Sequence, residues 1–151
     1  LAVTEKGDFA LLAWAQEAKL IARDIQTEAI DIKSMIKVIP QIRKMTLLKP
    51  EEFAVQLKSL LAKCGVALVF LPHLKGSFLQ GASFIDGSKI VVGLTVRGKD
   101  ADKFWFSLFH ELAHIELNQL AQSNKDLFAF NVDKYEDEAN EYINILLKEE
   151  L

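Results

Sequence analysis

The spacing of apolar and polar positions divides the chain into a helical first part, a β-rich middle and a helical last part. Asp8 is placed to N-cap a helix reaching Asp24, with Phe9, Leu12, Ala15, Leu20 and Ile21 at core spacing and Trp14 in the same core. Asp31 caps a short helix, Ile32–Val38, which Pro40 is expected to end or kink. Lys49-Pro50-Glu51-Glu52 opens a third helix, with Pro at its first position, carboxylates in its first turn and Gly65 beyond its end. Cys64, at the close of that helix, reads as a small buried hydrophobe. After Gly65 the period changes. Val66–Leu71 is a short β-rich run stopped by Pro72, and Ala82–Ile85 and Lys89–Thr95 flank the hairpin signal Asp86-Gly87. These strands make a small sheet, at least partly antiparallel. His73 falls in the loop after the first strand, and Arg97-Gly98-Lys99-Asp100 is a solvated connection. The next apolar segment, Phe104–His114, is free of Gly and Pro and reads as a helix. Ala121–Asp126 is loop-like, Leu127–Phe130 packs beneath the preceding helix, and a last helix runs from Asp133 to Lys148. The fold class is α+β.

Composition narrows the setting. A chain of 151 residues is one domain by length and can bury about 68–70% of its unfolded surface. Its net charge of −3 gives no basic footprint for nucleic acid, so no direct nucleic-acid binding is expected of this segment. The single Cys64 has no internal disulfide partner and suits a reducing compartment. No run approaches the ~18 apolar residues of a membrane span, and no signal-peptide pattern opens the chain. The expected location is the cytoplasm, without membrane association. Because the chain opens at Leu1 and not at Met, a preceding segment is expected.

The chemistry is concentrated in His110-Glu111-Leu112-Ala113-His114. On a helix, residues four apart stack on one face, so His110 and His114 can bind one metal ion. Glu111 lies about 100° round the helix, within reach of a water on that ion. Neutral imidazoles suit Zn2+, a third protein ligand completes the anchor, and the fourth position takes water. A neighbouring carboxylate can then act as general base toward a peptide carbonyl. The natural source of the third ligand is the last helix, which carries Glu136 and Glu138. The 21 residues between His114 and Glu136 (115 to 135) suffice to end one helix and bring a second alongside.

The stretch Gly65–Leu147 resembles the ImmA/IrrE family of zinc metallo-endopeptidases. The residues that carry the resemblance are Gly81-Ala82-Ser83-Phe84, Leu94-Thr95-Val96-Arg97, the Phe104–His114 block, and Glu136-Asp137-Glu138-Ala139-Asn140, which matches an E-x-x-A-N segment. The resemblance implies a zincin-like domain of gluzincin type, with N-terminal helices, a small sheet, an active-site helix and a ligand helix. It implies His110, His114 and Glu136 as Zn2+ ligands and Glu111 as base. It also implies a protein substrate, a transcriptional repressor that the enzyme cleaves. Residues 1–64 are then a helical segment packed on a 65–151 peptidase core, one compact domain that an upstream helix-turn-helix domain precedes. The chain departs from the family at Asn118, where members often carry His, and at Glu141-Tyr142-Ile143-Asn144.

Helix geometry favours the same third ligand. Glu116 points about 200° away from His114 and is expected on a solvent face. Glu138 shares a charged stripe with Glu141 and Glu149, whereas Glu136 lines up with Asn140, Ile143 and Leu147. Asn140 is placed one turn on, where it can hydrogen-bond the ligand. The competing role for Glu136 is a capping box with Asp133. Tyr135, Tyr142 and His73 are candidates for a second oxyanion donor. The alternatives to an endopeptidase are a regulatory module whose zinc is structural or sensory, and an antitoxin-like interaction domain of a DNA-binding regulator.

Overall fold

The apolar run after Gly65 forms strand β1 (Val66–Pro72), and its consecutive side chains Val66 to Val69 are all buried. Successive strand residues point to opposite faces, so burial of the whole run requires a layer on each side. The computed structural model supplies both layers; it describes residues 5–72, 81–96 and 101–117. Along the chain these form α1 (Glu5–Arg23), α2 (Ile32–Lys44) with a single 3-10 turn after it, α3 (Pro50–Ala62), β1, β2 (Gly81–Asp86), β3 (Lys89–Val96) and α4 (Ala101–Glu116). The strand order is β1-β3-β2. β3 runs parallel to β1, from Val66↔Ile90 to Pro72↔Val96, and antiparallel to β2, from Gly81↔Leu94 to Asp86↔Lys89. The hairpin loop is therefore Gly87-Ser88, and Gly87 takes the positive φ of 63° that such a turn requires. Mixed helices around a small mixed sheet match the expected α+β class.

One face of the sheet, with Val66, Leu68, Ile90, Val92 and Leu94, packs on α2, α3 and α4. The other face, with Ala67, Val69, Leu71, Phe84 and Val91, packs on α1. Both cores join residues from before and after Gly65. The buried stripe of α1 is Trp14, Ala15, Ala18 and Ala22, which places Trp14 in the core as expected. Leu20 and Ile21 are exposed (53% and 39%), contrary to expectation. Small alanines let the helix lie close on the sheet, and Leu20 is about 200° from Ala18. At Gly93 an added Cβ would stand 2.8 Å from the Trp14 ring, so glycine gives the indole its seat. The hairpin reaches back to hold α1: Lys89 Nζ donates to the carbonyls of Ala22 (3.0 Å) and Ile25 (2.6 Å), and Arg23 pairs with Asp86 at 3.2 Å.

Two further boundaries differ from the sequence reading. α1 begins at Glu5, so Asp8 lies inside it and is not its cap. α2 continues through Pro40 to Lys44, because the buried stripe Met35, Ile39 and Ile42 runs across the proline while Pro40 itself is exposed. Tertiary packing outweighs the cost of about 3 kcal/mol for an internal proline. Asp31 caps as expected: it accepts from the Ser34 N–H at 3.0 Å and the Ser34 hydroxyl at 2.7 Å, bonds that hold its carboxyl below the usual range. At the start of α3 the Glu52 carboxylate accepts from the Lys49 N–H at 3.0 Å. Cys64 is buried, and burial pushes its thiol pKa up, as befits an inert core residue. No helix among the described residues is long and apolar enough to cross a membrane. His73, the 97–100 connection and the last helix lie outside the described residues.

Gly65 ends α3 with φ 83°, and a Cβ there would stand 2.4 Å from Ile30 Cα. Gly87 has a similar φ with nothing within 4 Å. Gly87→Ala should therefore cost only the left-handed penalty of about 1–2 kcal/mol. Gly65→Ala should cost clearly more, because a backbone clash is added. Urea denaturation of both variants checks this, and equal losses would contradict the packing at Gly65.

Candidate metal centre

α4 is held against rotation before it reaches its histidines. Trp105 packs on Phe53 of α3 (ring centroids 4.7 Å apart) and on Phe109 (6.2 Å), while Phe104 meets Phe53 (5.4 Å) and Phe70 of β1 (5.5 Å). Aromatic pairs at these separations add about 0.5–1.5 kcal/mol each beyond area burial. Leu108, Leu112 and Ile115 complete the buried side of the helix.

With the helix fixed, His110 and His114 stand one turn apart with rings 4.7 Å apart and nearly perpendicular at 83°. Their Nε2 atoms are 3.1 Å apart. Two nitrogens on one tetrahedral zinc, each at about 2.0–2.1 Å, lie about 3.3 Å apart. The imidazoles thus need to move only a few tenths of an ångström to share an ion, and the donor set fits a divalent metal. Both rings also sit in the last two turns of α4, where the carbonyl ends of the helix favour a cation. Ligand atoms of His110, Glu111 and His114 all fall within 4.8 Å of one another. His114 and Glu111 are buried (2% and 6% exposed), while His110 is half-buried with the exposed Phe106 ring stacked on it at 6.1 Å.

The Glu111 side chain reaches the sheet. The Ser83 hydroxyl, on β2, donates to Glu111 Oε1 at 3.0 Å with both residues buried. Gly81, two residues earlier on the same strand face, leaves the space beside it: a Cβ there would stand 3.4 Å from Glu111 Cγ and 2.8 Å from Leu94 Cδ2. Sequence reasoning assigned no role to Ser83 or Gly81. Two signals were available: both residues fall in the Gly81-Ala82-Ser83-Phe84 run that carries the family resemblance, and Ser83 is a serine at an inward position of a strand otherwise carrying Phe84 and Ile85.

Glu116 requires a correction. It was expected on a solvent face, yet it is half-buried, and its Oε2 is buried with no hydrogen-bond partner among the described residues. Burial holds its carboxyl above the usual range. Glu116 lies within about 20–40° of Trp105, Phe109 and Leu112 around α4, so the side opposite the imidazoles is the core. It remains outside the group formed by His110, Glu111 and His114. Glu136, Glu138, Asn140, Tyr135, Tyr142 and His73 lie outside the described residues.

Titration with Co2+, followed by its visible absorption, should reveal a site that His110→Ala or His114→Ala weakens by more than about 100-fold, beyond the 10–100-fold expected of groups that only support a ligand. Glu116→Gln should leave it unchanged. Wild-type affinity in both histidine variants would remove the imidazole pair as the centre.

Comparison with known proteins agrees with this geometry. Residues 76–151 match the model of the metallopeptidase family Peptidase_M78, described as the IrrE N-terminal-like domain. The match takes in β2, β3 and α4 and covers half of the 151-residue chain. No curated protein and no solved structure matches the chain. By that match, and with the His110–Glu111–His114 cluster on its α4, the chain belongs to the IrrE N-terminal-like peptidase family.

Proposed function

We propose that the protein is a zinc-dependent endopeptidase of gluzincin type that cleaves a partner transcriptional regulator. The observation that carries this reading is the pair of imidazole nitrogens 3.1 Å apart with a buried carboxylate beside them, in a chain of a metallopeptidase family. His110 and His114 would hold the ion, with Glu136 as third ligand and Asn140 one turn on to steady it. Zinc bound there supplies Lewis-acid chemistry, making water more acidic and polarising a carbonyl.

The chain's own part in the reaction is proton transfer and placement. The Glu111 carboxylate accepts a proton from water as the water oxygen attacks the scissile carbonyl carbon. It then delivers that proton to the amide nitrogen as the C–N bond breaks, which restores the carboxylate. Burial of Glu111 favours this role over a structural metal site, for which a second buried acid has no use. β2 is the last strand of the described sheet and lies beside Glu111. An extended polypeptide can add to its outer edge through main-chain hydrogen bonds, which suits a protein substrate. A regulator of transcription as substrate is consistent with a reaction in the cytoplasm.

Glu111→Gln should keep the metal and lower hydrolysis of the partner repressor by about 10²–10⁴-fold, the usual contribution of a general base. Gel electrophoresis of the zinc-loaded protein with that repressor checks it. Cleavage by Glu111→Gln at the wild-type rate would contradict the assignment.

A further inference from the structure

We propose that Ser83 is a positioning residue for the general base: its hydroxyl fixes the Glu111 carboxylate in one orientation relative to the imidazole pair. The inference rests on the hydrolytic reading above. A glutamate has three side-chain torsions, and the helix that fixes His110 and His114 fixes only its backbone. Something else must hold the carboxylate. Ser83 does so across 28 residues of sequence, donating to Oε1 at 3.0 Å inside the protein. The donor stands on a strand and not on a loop: Ser83 is paired with Val92, which is fully buried at the centre of the sheet. Its own backbone is thereby set by the ladder.

Gly81 supplies the second half of the seat. It pairs with Leu94, and an added Cβ would collide with Leu94 Cδ2 at 2.8 Å while only touching Glu111 Cγ at 3.4 Å, so glycine lets β2 lie close beside the Glu111 stem. One short strand therefore lies beside the carboxylate stem and gives a hydrogen bond to its head. A buried carboxylate also gains from any hydrogen bond, so Ser83 could in principle serve stability alone. That role would change stability and leave turnover untouched. A misplaced base has a different signature, since about 1 Å of displacement can cost on the order of 100-fold in rate.

The test uses the full chain with Ser83→Ala, Ser83→Cys and Ser83→Thr. Infrared difference spectra, with the Glu111 carboxylate band identified as the one lost in Glu111→Gln, should show that band displaced in Ser83→Ala and Ser83→Cys and restored in Ser83→Thr. Co2+ affinity should stay within about twofold in all three, because Ser83 bonds Glu111, the base, and not the imidazoles proposed to hold the ion. With casein as probe and zinc bound, kcat should fall about 10–100-fold in Ser83→Ala with KM unchanged, and Ser83→Thr should recover it. An unmoved carboxylate band, or a moved band with wild-type kcat, overturns the proposal. If wild-type protein hydrolyses neither casein nor the repressor, the peptidase reading fails, while the infrared comparison still decides whether Ser83 holds Glu111. Should Ser83→Ala not fold, Ser83→Cys retains the side-chain volume and carries the comparison.

Discussion

Everything proposed for this chain depends on α4 not turning about its own axis. Two imidazoles on consecutive turns point at one spot only while the helix keeps its azimuth. A rotation of about 100°, one residue, would carry both away from that spot and bring Glu111 in their place. The rotation is blocked on two sides. Phe104 and Trp105 are wedged against Phe53 and Phe70, and Leu108, Leu112 and Ile115 are sunk in the core. On the remaining side the hydrogen bond from Ser83 to Glu111 ties the helix to β2.

The small sheet explains how so short a chain can hold this helix. β3 sits between a parallel and an antiparallel neighbour, and each face is covered by helices, so the strand bearing Ser83 and Gly81 is fixed from below by α1. Trp14 on Gly93, and Lys89 on the carbonyls of Ala22 at the end of α1 and Ile25 just beyond it, join the far layer to the hairpin. The helices before Gly65 thus belong to the same cores as the strands and α4. Their sequence lies outside the span that matches the peptidase family, yet α3 carries Phe53, on which the N-terminal turns of α4 rest.

Much of this was legible from local chemistry. Asp31, Pro50, Gly65 and Gly87 each act through their own backbone or nearest neighbours, and each marks a boundary where it was expected. The imidazole pair was legible for the same reason, since four residues of helix set its geometry. Apart from the start of α1, the misreadings come from contacts between distant parts. Pro40 breaks a helix by local rules, but Ile39 and Ile42 carry a packing stripe past it. Leu20 and Ile21 looked like core residues because they are large, while the close approach of α1 selects Ala15, Ala18 and Ala22. Glu116 was assigned to solvent because it points away from the histidines, although the core lies on that side. The partner of Ser83 was beyond local reasoning, because it stands on another element.

The central claim is that a single ion bridges the His110 and His114 rings. X-ray absorption at the zinc edge of the loaded protein measures this most directly. A first shell of nitrogen and oxygen at about 2.0–2.1 Å, with the outer-ring scattering of two imidazoles, is the expected result. A shell with one imidazole or none, or with a sulfur scatterer at about 2.3 Å, would contradict it.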